Sequence, residues 1–265
     1  MNVLVFDIET VPDIEAGRRV YGLGDLPDSD VAKAMFHLRS QQNDGVEFLR
    51  HHLHRVVAIS AVFRDAQHFR VWSLGDERAG EREIIQRFFD GIEKYSPMLV
   101  SWNGSGFDLP VLHYRALRHG VRAARYWDTG DDDRDFRWNN YLNRFHFRHL
   151  DLMDIISGYQ ARAAAPLDEI ATVLGFPGKM GMSGAHVWEA FLEGDLRGIR
   201  NYCETDVLNT YLVYLRFELI RGRLTLSQHD RELQRVKDYL AAAKEEHLQQ
   251  FLRAWQESAS LSEPG

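Results

Sequence analysis

Cysteine is almost absent: the 265 residues contain one, Cys203. A single thiol excludes an internal disulfide framework and any cysteine-rich zinc site, and leaves Cys203 a packing role beside Tyr202. Long apolar runs are missing too. The longest fall far short of the ~20 residues a membrane helix needs, so no membrane partner is expected. The chain opens on a strand-like segment in place of a charged, apolar, small-residue leader, and a cytoplasmic location follows as the default expectation. Positive charge is in deficit, with a formal net charge of -7, the opposite of the balance in a protein that grips long duplex nucleic acid. Short ends need few phosphate contacts, so weak, salt-sensitive binding of such ends is still expected. What is present is ordinary globular material, 45% hydrophobic and 12% aromatic, enough to bury a real core in one large domain or two small ones.

Hydrophobic patterning sketches the elements. Residues 3–6 form a short apolar run of the kind buried as a strand, and 56–63 with 69–74 suggest an antiparallel hairpin beside it. A helix is expected over 80–95, an apolar strand over 98–102, and a helix over 109–119. Short helices follow over 151–157, 167–174 and 186–191, then a long one over 195–219. Strands first, then a mixture, then helices describe an α/β layered domain. Two charged or polar segments, 15–53 and 126–145, look like insertions; the first suggests a helical arm or lid, and the second is longer than an ordinary connection. Beyond residue 220, a charged helical stretch over 226–255 suggests a C-terminal arm or a dimer contact, so the division expected is a domain over 1–220 and a helical extension over 221–265. The oligomeric state is not specified.

The residues that carry chemistry are scattered. In FDIET, Asp7 and Glu9 are two apart at the end of the first strand and so share a face. In NGSGFD, Asp108 falls near the start of a helix. In YCETD, Tyr202 and Asp206 are one helical turn apart on one face. Four carboxylates brought together repel one another, so their convergence would imply cations. Hydrolysis of a phosphodiester builds negative charge on entering, leaving and nonbridging oxygens, which two divalent cations roughly 4 Å apart can neutralise. Magnesium prefers hard oxygen ligands and usually takes one or two protein carboxylates, so the set suffices for two ions, Mg2+ or Mn2+, without histidine or cysteine. Each signal alone has a plainer explanation. Asp7 and Glu9 could mark an exposed strand end, Asn103 and Gly104 a turn with Asp108 capping the next helix, and Tyr202 with Asp206 a packing pair. Their joint occurrence in order is what carries weight.

These blocks resemble the Exo I, Exo II and Exo III motifs of the DEDD superfamily of 3′ to 5′ exonucleases, in the tyrosine-bearing branch (DEDDy) that includes the proofreading domains of family-B DNA polymerases. Asp7 and Glu9 match the first motif, Asn103, Phe107 and Asp108 the second, Tyr202 and Asp206 the third. The histidine branch carries His where this chain has Asn201. The strings HLDLMD, GFPGK and NYCETDVLNTYL are similar to those of stand-alone bacterial proteins described as predicted exonucleases related to polymerase B proofreading domains, over about residues 1–220. The resemblance implies an RNase H-like fold, a mixed β-sheet flanked by helices, and stepwise removal of 3′ nucleotides from single-stranded ends as nucleoside 5′-monophosphates, with DNA favoured over RNA. It implies Asp7, Glu9, Asp108 and Asp206 as metal ligands and Tyr202 as the group that orients the attacking water. Thr10 would hold the terminal nucleotide, and Asn103 and Phe107 would contact the sugar and stack the adjacent base.

Weaker expectations attach to other residues. Lys179, among glycines, could meet a phosphate or simply sit in a flexible connector. Asp151 and Asp154 could support the metal ligands from behind or cap a helix. His51, His52 and His54 lack a matching ligand cluster and are expected to be structural or superficial. Arg115, Arg118, Arg122 and Arg125 could form a basic stripe for the nucleic-acid strand or a solvated helix edge, and Asp131 to Asp133 a solvated loop. Two alternatives stay open: an exoribonuclease, because these motifs do not specify contacts to a 2′ hydroxyl, and a noncatalytic binding or polymerase-accessory module on the same fold. The 265 residues hold no polymerase domain, so proofreading would act in trans, and repair or end trimming, with a polymerase or repair partner, is the more economical role.

Overall fold

A computed structural model describes residues 2–261. Five strands form one mixed sheet in the order β3-β2-β1-β4-β5: β1 Val3–Pro12, β2 His54–Arg64, β3 Phe69–Ser73, β4 Met98–Ser101 and β5 His149–Asp151. β1 pairs antiparallel with β2, and β2 with β3; β4 runs parallel to β1, and β5 to β4. Helices cover both faces, the arrangement of an α/β RNase H-like domain.

The central strand explains the layering. Along β1, Val3 and Val5 join one core cluster and Leu4, Phe6 and Ile8 join another, the period-two alternation of a strand buried on both sides. The Leu4 face is covered by helices Glu81–Tyr95 and Asp108–His119, through Ile84, Ile85, Phe88, Leu109 and Leu112. The Val5 face is covered by the 25-residue helix Leu196–Ile220 and by two C-terminal helices, Leu226–Ala242 and Glu246–Leu261. Asp7 and Glu9 continue the Val3 and Val5 series, so they point toward the helix that carries Tyr202 and Asp206.

Several sequence expectations need correction. β1 does not end at residue 6: it is laddered to β2 as far as Pro12 paired with His54, with an irregularity between Glu9 and Thr10. The acidic pair therefore lies inside the strand. The third parallel strand, β5, was not anticipated. Its three residues precede the helix Leu152–Ile156, and the apolar spacing of HLDLMD reads as helix throughout. The C-terminal stretch is two helices, because Ala243 is extended (φ -66°, ψ 144°). Val236, Leu240, Leu248, Phe251 and Trp255 bury with the β-strand residues, so these helices are built onto the domain core.

The segment 15–53 contains helices Ile14–Tyr21 and Asp28–Gln42 around a small core of Val31, Met35, Leu49 and Leu53. Asp13 starts the first of them by accepting from the backbone N–H of Ala16 at 3.0 Å, the usual role of an N-terminal cap. Among the described residues, no helix is long and apolar enough to cross a membrane.

Candidate active site

Each motif is delivered by a different element. β1 supplies Asp7 and Glu9, the start of the Asp108–His119 helix supplies Asp108, and the Leu196–Ile220 helix supplies Tyr202 and Asp206. Asp108 reaches back to the first motif: its Oδ1 accepts from the backbone N–H of Ile8 at 3.1 Å, between the two acidic residues of β1. Ligand atoms of Asp7, Glu9 and Cys203 lie within 4.8 Å of one another.

The charges feel each other strongly. Burial, reinforced by Asp108, Glu9 and Asp206, pushes the Asp7 carboxyl well above its ordinary range. Glu9 is raised well above its range by burial and then by Asp206 and Asp108. Burial lifts Asp108 to about 7 despite backbone N–H donors, with Asp151 adding to the rise. Asp206 is lifted to about 6, burial prevailing over the Tyr202 hydrogen bond and the Lys179 charge that lower it. Such a quartet is strained at neutral pH unless positive charge enters.

The neighbouring donors keep their protons. Tyr202 hydrogen-bonds Asp206, and burial together with Asp206 and Glu9 raises the phenol further above its ordinary value, making it a hydrogen-bond donor at neutral pH and not a base. The Cys203 thiol is likewise pushed up by burial, Asp7 and Glu9, and it donates to Asp7 Oδ2 at 3.5 Å. A thiol is a soft ligand that selects metals other than Mg2+ or Mn2+. The remaining donor set is carboxylate oxygen, the chemistry that suits Mg2+ or Mn2+.

The second-motif loop is held from behind. Asn103 adopts the left-handed conformation (φ 63°), and a Cβ on Gly104 would collide with Ser101 Oγ, so glycine is required there. Asp151, the last residue of β5, accepts from the backbone N–H groups of Asn103 at 3.0 Å and Ser105 at 2.8 Å and also caps the helix Leu152–Ile156. It thereby ties β5 to the loop that presents Asp108. Asp154 pairs instead with Arg144 at 3.0 Å.

Phe107 stands among rings that carried no motif. Phe48, His51 and His54 lie 5.3, 5.8 and 5.2 Å from it, centroid to centroid. Thr10 donates from Oγ1 to His54 Nδ1 at 2.8 Å, and His54 Nε2 lies 3.2 Å from the Leu49 carbonyl; burial lowers His54 to about 4, so the ring is neutral. His51 contacts the Gly106 carbonyl at 2.8 Å. The arm thus closes over the second motif from its far end. Lys179 is exposed and lowers Asp206 by its charge. Its loop is pinned to the third-motif helix, where buried Asn209 accepts from Gly178 N–H at 3.2 Å and donates to its carbonyl at 2.8 Å.

Of the four arginines expected to form a basic stripe, Arg122 is exposed and the other three are engaged within the fold. Arg115 is 2% exposed and bonds Glu81 and Asp13. Arg118 pairs with Asp13 and Glu15, and Arg125 with Asp133. The partners lie 34 and 102 residues from Arg115, a distance at which local spacing has no power. Asp131 to Asp133 join a turn whose backbone N–H groups are accepted by Asp128.

Comparison with known proteins agrees with the geometry. A family model described as a predicted 3′ to 5′ exonuclease related to the exonuclease domain of PolB matches residues 46–255, which include Asp108, Tyr202, Asp206, the helix Leu226–Ala242 and part of the helix Glu246–Leu261, while Asp7 and Glu9 precede the matched segment. A DNA polymerase of Archaeoglobus fulgidus is 27% identical over 136 residues, 50% of this chain and 17% of the polymerase. DNA polymerase 1 of Sulfurisphaera ohwakuensis is 53% identical over 38 residues, 14% of this chain and 4% of the polymerase. The chain therefore spans only a small part of the curated relatives it matches. By the extent of the family match, the chain belongs to the predicted 3′ to 5′ exonucleases related to the exonuclease domain of PolB.

Proposed function

We propose that this chain is a divalent-cation-dependent 3′ to 5′ exonuclease that removes nucleoside 5′-monophosphates from single-stranded 3′ ends, with DNA as the preferred polymer. The observation that carries this is the convergence of carboxylates from three elements: Asp7 and Glu9 share one face of β1, Asp108 reaches the Ile8 N–H between them, and Asp108 and Asp206 both raise the carboxyls of Asp7 and Glu9. Two cations, Mg2+ or Mn2+, would neutralise charge on the entering and leaving oxygens of the displacement. Asp7, Glu9, Asp108 and Asp206 would hold them, with Asp7 central because the other three all act on its carboxyl.

Tyr202 keeps its proton at Oη and is tethered to Asp206, so it orients the attacking water by a hydrogen bond. Thr10, next to Glu9 in the chain, and Asn103 and Phe107, on the loop that leads to Asp108, are assigned to the terminal nucleotide and its neighbour. Lys179, on a pinned loop beside Asp206, is assigned to a phosphate as a point charge. Asp151 positions the loop that carries Asp108. A role in repair or end trimming with a polymerase or repair partner, in the cytoplasm, is the biological setting we infer.

The test uses matched 5′-labelled single-stranded DNA and RNA with Mg2+ or Mn2+, beside EDTA controls and an Asp108→Ala variant. A cation-dependent ladder shortening from the 3′ end, stronger on DNA and lost in the variant, is expected. A ladder on RNA alone would reassign the polymer. End binding without turnover by folded protein would identify a noncatalytic module.

A further inference from the structure

Three polar side chains stand in a row across the sheet. The ladder places Asp7 opposite Ser60 on β2, and Ser60 opposite Ser73 on β3, so all three project from one face. Ser60 and Ser73 are 0% and 5% exposed, and their hydroxyls meet at 2.9 Å. Neighbouring positions of that face are apolar, with Val62 and Val71 in the core, so the serines interrupt a hydrophobic surface.

The Leu196–Ile220 helix lies over this row and engages both ends. At one end the Cys203 thiol donates to Asp7 Oδ2 at 3.5 Å. At the other, Ser73 Oγ donates to Glu204 Oε1 at 2.6 Å. The second oxygen of Glu204 accepts from His247 Nε2 at 2.8 Å, on the helix Glu246–Leu261. One turn before Glu204, Arg200 donates to the carbonyls of Ser73, Leu74 and Gly75 at 3.2, 3.2 and 2.8 Å. A hydrogen-bonded chain therefore runs from Ser60 through Ser73 and Glu204 to the C-terminal helix, and the helix bearing Tyr202 and Asp206 is joined to Asp7 through Cys203 and to β3 through Glu204 and Arg200.

Such a lock has a consequence for the carboxylates. A helix turns ~100° and rises ~1.5 Å per residue, so a slip of one residue would carry Asp206 out of the quartet. An apolar face alone tolerates sliding and rotation better than directional hydrogen bonds do. We propose that Glu204, with Ser73 and His247 as its links, is a positioning residue that fixes the third-motif helix against Asp7, and that the C-terminal helix serves as its brace. The proposal rests on the nuclease assignment above.

Its test compares wild type with Glu204→Ala, Glu204→Gln and His247→Ala, measuring Mn2+ affinity by calorimetry, kcat and KM on single-stranded DNA, and Tm. Glu204→Ala is expected to weaken Mn2+ binding about tenfold and lower kcat comparably with KM little changed, and Glu204→Gln, which still accepts from Ser73, to recover most of both. His247→Ala should fall between. If Glu204→Ala does not fold, Ser73→Ala, which cuts one link, should move Mn2+ affinity and kcat in the same direction. Wild-type affinity and kcat in the folded variants, with only a lower Tm, would overturn the proposal and leave the network purely structural. Asp7→Asn separates the two claims: wild-type protein that binds no Mn2+, or binds it equally with Asp7→Asn, overturns the nuclease assignment and this proposal with it.

Discussion

Asp108→Asn removes one negative charge from the quartet while keeping an acceptor for the Ile8 N–H. Hydrolysis should fall by at least about a hundredfold, because a ligand amide is a poor substitute for carboxylate. The metal-free protein should become more stable at pH 8, since the repulsion it relieves is greatest when all four groups are ionised. The sign of the pH dependence follows from the raised carboxyls. Asp108 titrates at about 7 against an ordinary 3.8, and Asp206 at about 6, so between pH ~4 and ~7 the native chain holds protons the unfolded chain has released. These groups therefore make metal-free stability fall as pH rises through that window and level off above it. Saturating Mg2+ should flatten this loss, because cations bind the ionised form. Melting curves from pH 4 to 8 with EDTA or Mg2+ check both statements; a metal-free Tm that rises from pH 5 to 7 only when Asp108 is intact would contradict them.

At the scale of elements, the helices on the Leu4 face hold a buried ion-pair network. Arg115 satisfies Glu81 and Asp13 at once, and Glu81 also accepts from Val56 N–H and contacts His119. Arg115→Ala would leave buried Glu81 without its guanidinium and buried Asp13 with Arg118 alone, costing about 3–5 kcal/mol and lowering Tm by about 10 °C. Activity well below that Tm should be unchanged, since no atom of the network faces the quartet; a raised KM with unchanged Tm would restore Arg115 to a nucleic-acid track. This misplacement marks what the sequence could and could not carry. Asp7 with Glu9 and Tyr202 with Asp206 were legible because strand and helix periodicity alone put each pair on one face. Asp108 was legible as the start of a helix after an apolar strand. The partners of Arg115, the three-residue β5 and the break at Ala243 were not, since each depends on contacts far along the chain or on a bend without glycine or proline. The hydrogen-bonded row behind Asp7 was hidden for the same reason: Ser60 and Ser73 carry no motif, and only the ladder register puts them opposite it.

For the whole molecule, the net charge of -7 and the internal pairing of Arg115, Arg118 and Arg125 limit phosphate contacts to a few. Affinity for a single-stranded oligonucleotide should fall with salt by a slope of about -0.7 per phosphate contact, giving a total no steeper than about -3 on a log-log plot of the association constant against KCl from 50 to 300 mM. A slope near -7 would reveal a basic surface that the paired arginines do not supply.

The central claim is that carboxylates from β1 and two helices act together with divalent cation to hydrolyse a 3′ end. It is tested most directly by single-turnover hydrolysis of one single-stranded DNA at fixed Mg2+, comparing wild type, Asp7→Asn, Asp206→Asn and Tyr202→Phe. The account predicts EDTA-sensitive cleavage by wild type, near abolition in both Asn variants, and a loss of about a hundredfold in Tyr202→Phe. Cleavage that survives EDTA, or Asn variants that turn over as fast as wild type, would contradict it.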